Sequence, residues 1–308
     1  MEKERRISIE AFEALLPDVC DRETSQDGAR WSAKNPLWGH CAIVSVAAQE
    51  LFGGELRRAS FAGNPGFGEN ASYYWNALAD GSEHDFTRAQ FGAQYPRLRD
   101  PVPRTRAYVL FGPAGAGTAL RENFKRTRQR YALLKWRIEK RLAGENPLFN
   151  DPMFEQCFLA ACDSQCQKMR VGCAVECDGK LIAATSNRFI EPLRHLCDPE
   201  CVRLKIPSRT DAVIGACGHA EEWALNYVQE CDLNPIRTTL YVACFSAENG
   251  RPLWKNEREF TCLLCAREMA LRAPGISVAV PVSDHWEFLS AEEAVRTAEP
   301  YALGEKRI

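Results

Sequence analysis

The sequence predicts an α/β protein built as two domains, and three observations carry that prediction. Apolar segments of helical and of strand period alternate along the chain. Cysteine is segregated: of 14 cysteines only Cys20 and Cys41 precede residue 150, and the other 12 lie between Cys157 and Cys265. Between the two compositions stands AGENPLFNDP, residues 143–152, whose Gly, Asn and Pro residues punctuate structure. The expected domains are residues 1–145 and 150–308, and 308 residues with 45% hydrophobic content suit two ordinary cores.

In the first domain, NPLWGHCAIVSVAAQELFGG reads as a loop entering a helix near Cys41 that stops at Gly53-Gly54. ASYYWNAL and EHDFTRAQF follow around a turn at Ala79-Asp80-Gly81. RAYVLF reads as a strand, and FGPAGAGT after it imitates a phosphate-binding loop but lacks the Lys that follows the last Gly. Residues 121–142 hold nine Lys and Arg, with Tyr131, Leu134 and Ile138 at helical spacing. An amphipathic helix with a solvated charged face is expected there; a nucleic-acid patch is the alternative.

In the second domain, Met153 to Met169 reads as a helix, placing Cys162 and Cys166 one turn apart. RVGCAVECDGKLIAATSNRF gives two strands joined at Asp178-Gly179, a hairpin signal. His219 to Glu230 is a helix, Arg237 to Phe245 a strand, TCLLCAREMALR a helix opened by its two cysteines, and GISVAVPV a strand. Such alternation indicates a sandwich around a mixed central sheet.

The chemistry-bearing residues are His219, Glu221, Cys262 and Cys265. An imidazole and two thiolates make three zinc ligands and leave a fourth position for water, as catalytic zinc requires. Bound zinc brings the pKa of that water toward roughly 7. Glu221 is then a proton shuttle rather than a ligand, the arrangement of the H-x-E and C-x-x-C signature of zinc nucleobase deaminases. Taken alone, Cys262-x-x-Cys265 would equally suit a redox pair or half of a structural knuckle. Cys157, Cys173, Cys177, Cys231 and Cys244 fall at apolar positions and read as core thiols.

Residues from about 153 to 295 resemble the cytidine and deoxycytidylate deaminase superfamily, most closely its deoxycytidylate and late-competence branch. The resemblance rests on SQCQKMRVGCAV, TSNRF, HLCDPEC, His219-Ala-Glu221 and WEFLSAEEA. It implies a three-layer α/β/α sandwich and a zinc-dependent hydrolytic deaminase of a cytosine-type nucleotide or nucleoside. It also implies a sugar contact from Asn187 and a base pocket lined by backbone from Val171 to Ala174. Members of that branch carry a second, structural zinc, and Cys166, Cys197, Cys201 and Cys217 occupy comparable places, with buried thiols as the other reading. The chain departs from the pattern at Thr261, where a proline is usual, and in the long loop bearing Arg194, Arg203 and Arg209, candidate phosphate contacts.

Residues from about 5 to 142 resemble the YunG-like family, whose arrangement is papain-like, α+β. The matching pieces are Gly39-His40-Cys41, Tyr74-Trp75-Asn76 and Asp85-Phe-Thr87-Arg88-Ala-Gln90-Phe91. That family has a histidine where Tyr73 stands here, and a phenol with a pKa of about 10 does not take a thiol proton near neutral pH. Cys41, Tyr73 and Asp85 therefore read as a vestigial site, unless His40 or His84 replaces the base.

The expected protein is a cytoplasmic zinc hydrolase with a small-molecule nucleotide or nucleoside as partner. No apolar run approaches the roughly 20 residues of a membrane helix, and the first residues, MEKERRISIE, are charged. A net charge of −2 gives no general attraction for nucleic acid. A homo-oligomer, a polymeric substrate, another aminated heterocycle and a non-catalytic zinc sensor stay open.

Overall fold

The computed structural model describes residues 7–68, 71–113, 117–197, 201–205, 217–254 and 261–302. It divides into two compact units of mixed helix and sheet, residues 1–142 and 143–308.

The first unit contains α1 (Ile9–Val19), α2 (Cys41–Phe52), β1 (Glu55–Ser60), β2 (Ser72–Ala77), β3 (Glu83–His84), β4 (Arg99–Arg104), α3 (Arg106–Phe111) and α4 (Thr118–Leu142). Its sheet has the order β3-β2-β1-β4 and is antiparallel throughout. Helix α2 is apolar nearly all round because it is enclosed: Ile43, Val44, Val46 and Ala47 are fully buried, as are Phe12 and Leu16 of α1 and Tyr131, Leu134 and Ile138 of α4. Gly53 and Gly54 end α2 with positive φ, and a Cβ on Gly54 would overlap the Ala77 carbonyl, so the sharp return into β1 requires glycine.

RAYVLF is a helix, not the strand expected from its apolar run. Thr105 caps it by accepting a hydrogen bond from the Tyr108 amide at 3.1 Å, and a six-residue run cannot decide between the two periods without that cap. FGPAGAGT therefore does not follow a strand, and its residues 114–116 lie outside the described residues. The basic stretch is the helix α4, and its charges are answered locally. Arg137 pairs with Asp21 at 2.8 Å and Glu23 at 3.2 Å, and Arg126 and Arg141 face Glu122 and Asp18. Lys135 is inside, between Glu50 at 3.2 Å and Glu139 at 3.1 Å.

The second unit contains α5 (Pro152–Cys162), β5 (Met169–Cys177), β6 (Lys180–Ser186), β7 (Arg188–Phe189), β8 (Cys217–Gly218), α6 (Ala220–Glu230), β9 (Thr238–Ser246), β10 (Pro252–Leu253), α7 (Leu263–Arg272), β11 (Ser277–Val282), β12 (His285–Ser290) and α8 (Ala291–Ala302). The main sheet runs β12-β11-β9-β5-β6, with β10 beside β9. β11 is parallel to β9 and the other pairs are antiparallel. The parallel step needs a crossover, and α7 supplies it. Asp178 and Gly179, both at positive φ, make the two-residue turn between β5 and β6 that the Asp-Gly pair predicts.

Strand alternation assigns the faces. Val171, Cys173 and Val175 of β5 share a core with Leu240, Val242 and Cys244 of β9 and with α6, α7 and α8. Their neighbours face α5: a Cβ on Gly172 would overlap the Cys157 carbonyl, and Phe245 packs edge-to-face on Phe158. α5 ends at Cys162, shorter than expected, because Asp163 closes it and the chain turns through residues 164–168. Cys162 and Cys166 are therefore not on one helix. No helix among the described residues is long and apolar enough to cross a membrane.

Candidate metal centre and the cysteine cluster beside it

Two helix N-termini converge on one point. His219 is the N-cap of α6 and Cys262 the N-cap of α7, with Cys265 in the first turn of α7. His219 Nδ1 lies 3.1 Å from Cys265 Sγ and 3.4 Å from Cys262 Sγ, and the three ligand atoms all fall within 4.8 Å of one another. Zinc bonds of about 2.3 Å to sulfur and about 2.0 Å to nitrogen in a tetrahedron put S and N roughly 3.6 Å apart, so the donor set and its spacing fit the ion. Cys262 Sγ also accepts a hydrogen bond from the Cys265 amide, and the free N–H groups of a helix start favour thiolate. Donation from Cys265 and from His219 holds the Cys262 thiol well below the usual range, against burial. Cys262 in turn raises His219 to about 9. A divalent cation bound here would take the place of the imidazolium proton of His219 and the thiol proton of Cys265, releasing both.

Two contacts fix the head of α6 and a third ties its later part to α7. The His219 amide donates to Glu222 Oε2 at 2.7 Å, Thr185 Oγ1 donates to the Ala220 carbonyl at 2.8 Å, and Arg272 of α7 donates to Asn226 Oδ1 at 2.8 Å. Glu221 is 3% exposed, and burial pushes its carboxyl up to about 7, although His219 pulls it down. Among the described residues no side chain hydrogen-bonds that carboxylate. The Thr261 hydroxyl, 5% exposed and next to Cys262 in the chain, also has no partner among the described residues.

Asn187 is built into the sheet. Its Oδ1 accepts from the Val171 amide at 2.9 Å and Ser164 Oγ at 2.7 Å, and its Nδ2 donates to the Met169 carbonyl at 2.9 Å. An amide offers two acceptor sites and two donors, so one N–H of Asn187 is not taken up by these three hydrogen bonds. Val171 to Ala174 pair with β6 or Asn187 on one side and with β9 on the other, which commits their backbone to the sheet.

Cys166, Cys197, Cys201 and Cys217 come together. Cys197 Sγ lies 3.9 Å from Cys201 Sγ and 3.7 Å from Cys217 Sγ, and the Cys217 thiol donates to Cys166, holding Cys166 low. Two thiolates on one tetrahedral zinc sit about 3.8 Å apart, which the two Cys197 pairs match, but among the described residues only His219, Cys262 and Cys265 have all their ligand atoms within 4.8 Å of one another. Cys197 and Cys201 are 1% and 2% exposed. Gln167, which no sequence motif singles out, clamps the turn: its Nε2 donates to the Cys197 carbonyl and its Oε1 accepts from the Cys201 amide, both at 3.1 Å. Arg203 favours the Cys166 thiolate, Arg194 lies over the Phe189 ring and 3.7 Å from Glu191, and Arg209 lies outside the described residues. Cys157, Cys173, Cys177 and Cys244 are buried as expected; Cys231 is exposed, because it caps the outer end of α6.

In the first unit, Cys41 opens α2 beside an aromatic group of Phe61, Tyr73, Phe91 and Tyr95. Asp85 Oδ1 accepts from the Tyr73 hydroxyl at 2.6 Å and from the Thr87 amide at 3.2 Å; Oδ2 accepts from the Tyr95 hydroxyl at 2.8 Å. The phenol of Tyr73 thus holds the Asp85 carboxylate, and burial pushes the Cys41 thiol up to about 11. His40 does not replace a base. It is fully buried, its Nδ1–H donates to the Trp38 carbonyl at 2.9 Å, its Nε2 accepts from Thr24 Oγ1 at 2.8 Å, and burial lowers it to about 4. His84 stacks on Phe86.

Neither the curated proteins nor the solved structures contain a match to this chain, and the deaminase resemblance of the C-terminal half finds no counterpart in these comparisons. Residues 8–143 match the family described as YunG protein, so the N-terminal part of the chain is YunG-like.

Proposed function

We propose that the C-terminal unit is a zinc-dependent hydrolytic deaminase with a cytidine deaminase-like α/β/α sandwich, acting on a free cytosine-type nucleotide or nucleoside such as CMP or dCMP. The observation that carries the proposal is the convergence of His219, Cys262 and Cys265 with a buried Glu221 two residues from the imidazole. Zinc bound there would supply an activated water at neutral pH. Glu221 takes one proton from the water and passes it to the ring nitrogen, then carries the second proton, from the hydroxyl added to the ring carbon, to the amino group, which leaves as ammonia while the carbonyl forms. A carboxylate that moves protons in both directions works best near the operating pH, and burial is the means by which Glu221 approaches it. A purely structural zinc would have no use for such a carboxylate. A second, structural zinc on Cys166, Cys197, Cys201 and Cys217 would require these thiols to draw together, because among the described residues only His219, Cys262 and Cys265 have all their ligand atoms within 4.8 Å of one another. The Asn187 N–H that the sheet leaves over would serve as the sugar contact.

A free nucleotide is preferred over a polymer because a polymer needs a cationic groove. The most basic stretch of the chain, in α4, has three of its arginines and Lys135 matched to carboxylates. The N-terminal unit is proposed as a papain-like domain that has lost catalysis, since Tyr73 stands against Asp85 and Cys41 has no imidazole to deprotonate it. The test is ammonia release from purified protein offered cytosine, adenine and guanine bases, nucleosides, nucleotides and oligonucleotides. Release from a cytosine mononucleotide or nucleoside supports the reading; faster release from an oligonucleotide replaces it with a polymer deaminase.

A further inference from the structure

A metal-ligating histidine is ordinarily oriented by a hydrogen bond from the ring nitrogen that does not meet the metal. His219 lacks that device. Its Nδ1 faces the two sulfurs, and among the described residues nothing hydrogen-bonds its Nε2. The direction of the ring is therefore set by the backbone that carries it, at the N-cap of α6. Apolar packing of Ala220 and Ala224 holds the helix on the sheet but is non-directional, so it does not fix where the helix begins. Two hydrogen bonds do. From the exposed side, Glu222 Oε2 accepts from the His219 amide at 2.7 Å. From beneath, the hydroxyl of Thr185 in β6 lies 2.8 Å from the Ala220 carbonyl and 3.3 Å from that of Cys173, its opposite residue in β5. Its one proton goes to the shorter contact, which has the ordinary O–H···O length, and at 1% exposure no bulk water competes for it. The acceptor belongs to the peptide joining Ala220 to Glu221. One bond from the sheet thus fixes the backbone between the ligand His219 and the buried carboxylate of Glu221.

We infer that Thr185 is a positioning residue of the candidate metal centre: its hydrogen bond to the Ala220 carbonyl aims His219 Nδ1 at the point where Cys262 and Cys265 meet it. The inference rests on the reading that His219, Cys262 and Cys265 hold a metal. Thr185 itself bonds neither metal nor substrate, and no proton or electron passes through it. Its effect is that of outer-shell support, which is worth about 10–100-fold in metal affinity. Here the support travels through one peptide of the helix start instead of through the imidazole.

The test uses the full chain, reduced and stripped of metal, titrated with Co2+ against a competing chelator. The readout is the visible absorption of cobalt on thiolate, and the part of it that His219→Ala removes belongs to this centre. Thr185→Val keeps the β-branched shape and drops the hydroxyl. It should bind Co2+ at this centre at least about tenfold more weakly than wild type and shift the cobalt bands, because the nitrogen ligand is misaligned. Thr185→Ser keeps the hydroxyl and should restore most of the affinity. Thr238→Val controls for stability alone. Thr238 is also 1% exposed and its hydroxyl donates to the Asn234 carbonyl at the same 2.8 Å, but at the start of β9, opposite Cys177. That variant should bind Co2+ as wild type does. Should Thr185→Val not fold, the smaller Thr185→Ala carries the same expectation. Equal affinity of wild type and the variant without the hydroxyl overturns the inference. So does an equal loss in Thr238→Val, which would mean lost stability and not lost aim. A wild-type chain that takes up no cobalt at His219 refutes the metal reading and this inference with it. Weakened binding in Thr185→Val of a protein that deaminates nothing keeps the inference and refutes only the deaminase reading.

Discussion

Iodoacetamide added at pH 7 should leave Cys41 almost untouched. The reagent attacks thiolate, and enclosure by the Tyr73 and Tyr95 group pushes the Cys41 thiol up to about 11. About four pH units below that value roughly one thiol in 10⁴ is ionised, against about three in 100 for an ordinary thiol of pKa ~8.5. Cys41 should therefore be alkylated about 300-fold more slowly than a freely exposed cysteine. Cys231 is exposed and serves as the internal reference, with each site followed by peptide-resolved mass spectrometry after timed quenching. The rate at Cys41 should climb about tenfold per pH unit through the alkaline range. Tyr73→His should speed labelling at pH 7, because an imidazole oriented by Asp85 can take the thiol proton. Labelling of wild-type Cys41 within about tenfold of Cys231 at pH 7 would refute the retired-site account, and mean that some other group activates the thiol.

Three further outcomes follow from the same geometry. Lys135→Met leaves Glu50 and Glu139 buried without the ammonium between them, a loss worth about 3–5 kcal/mol. In a unit of 142 residues that lowers Tm by roughly 10–17 °C, and a drop of less than about 3 °C in a calorimetric scan would show the network to be dispensable. Burial raises the Glu50 carboxyl, but Arg106 and Lys135 outweigh it and hold Glu50 below its ordinary value. The unfolded chain therefore takes up this proton first as pH falls, so the stability Glu50 contributes is present above about pH 4.3 and is lost in more acid solution. Tm measured from about pH 5 to about pH 3 should fall less steeply in Glu50→Gln than in wild type. Removing metal with a chelator should abolish ammonia release and Zn2+ should restore it; activity that survives complete metal removal contradicts the assignment of His219, Cys262 and Cys265.

The residues of the candidate centre were legible because each half of it is local. His219 with Glu221, and Cys262 with Cys265, stand in the first turns of two helices, and both helices begin at the expected residue. The Asp178-Gly179 turn was legible for the same reason. What failed was whatever depends on distant neighbours. The apolar run RAYVLF suits strand or helix until Thr105 caps it. The helix through Cys157 looked continuous to Met169, yet the chain leaves it after Cys162 to carry Ser164, Cys166 and Gln167 to Asn187 and the loop cysteines. Gln167 and Thr185 each hold backbone of a remote segment, and no local pattern marks a polar side chain for that task. The resemblance assigned Asn187 to a ligand, whereas most of its hydrogen-bonding capacity organises the sheet. His40 looked like a candidate base from its place beside Cys41, but the N-cap geometry turns its ring toward Thr24 and Trp38.

Glu221→Gln tests the central claim most directly, because the side chain is buried two residues from a ligand and is assigned protons but no metal. Zinc content and ammonia release are measured on the same preparation, with the best substrate of the wild-type screen. The account predicts an unchanged zinc stoichiometry and a rate lowered by about 10²–10⁴-fold, the range for loss of a positioned general acid and base. Loss of the zinc, or turnover close to wild type, would contradict it.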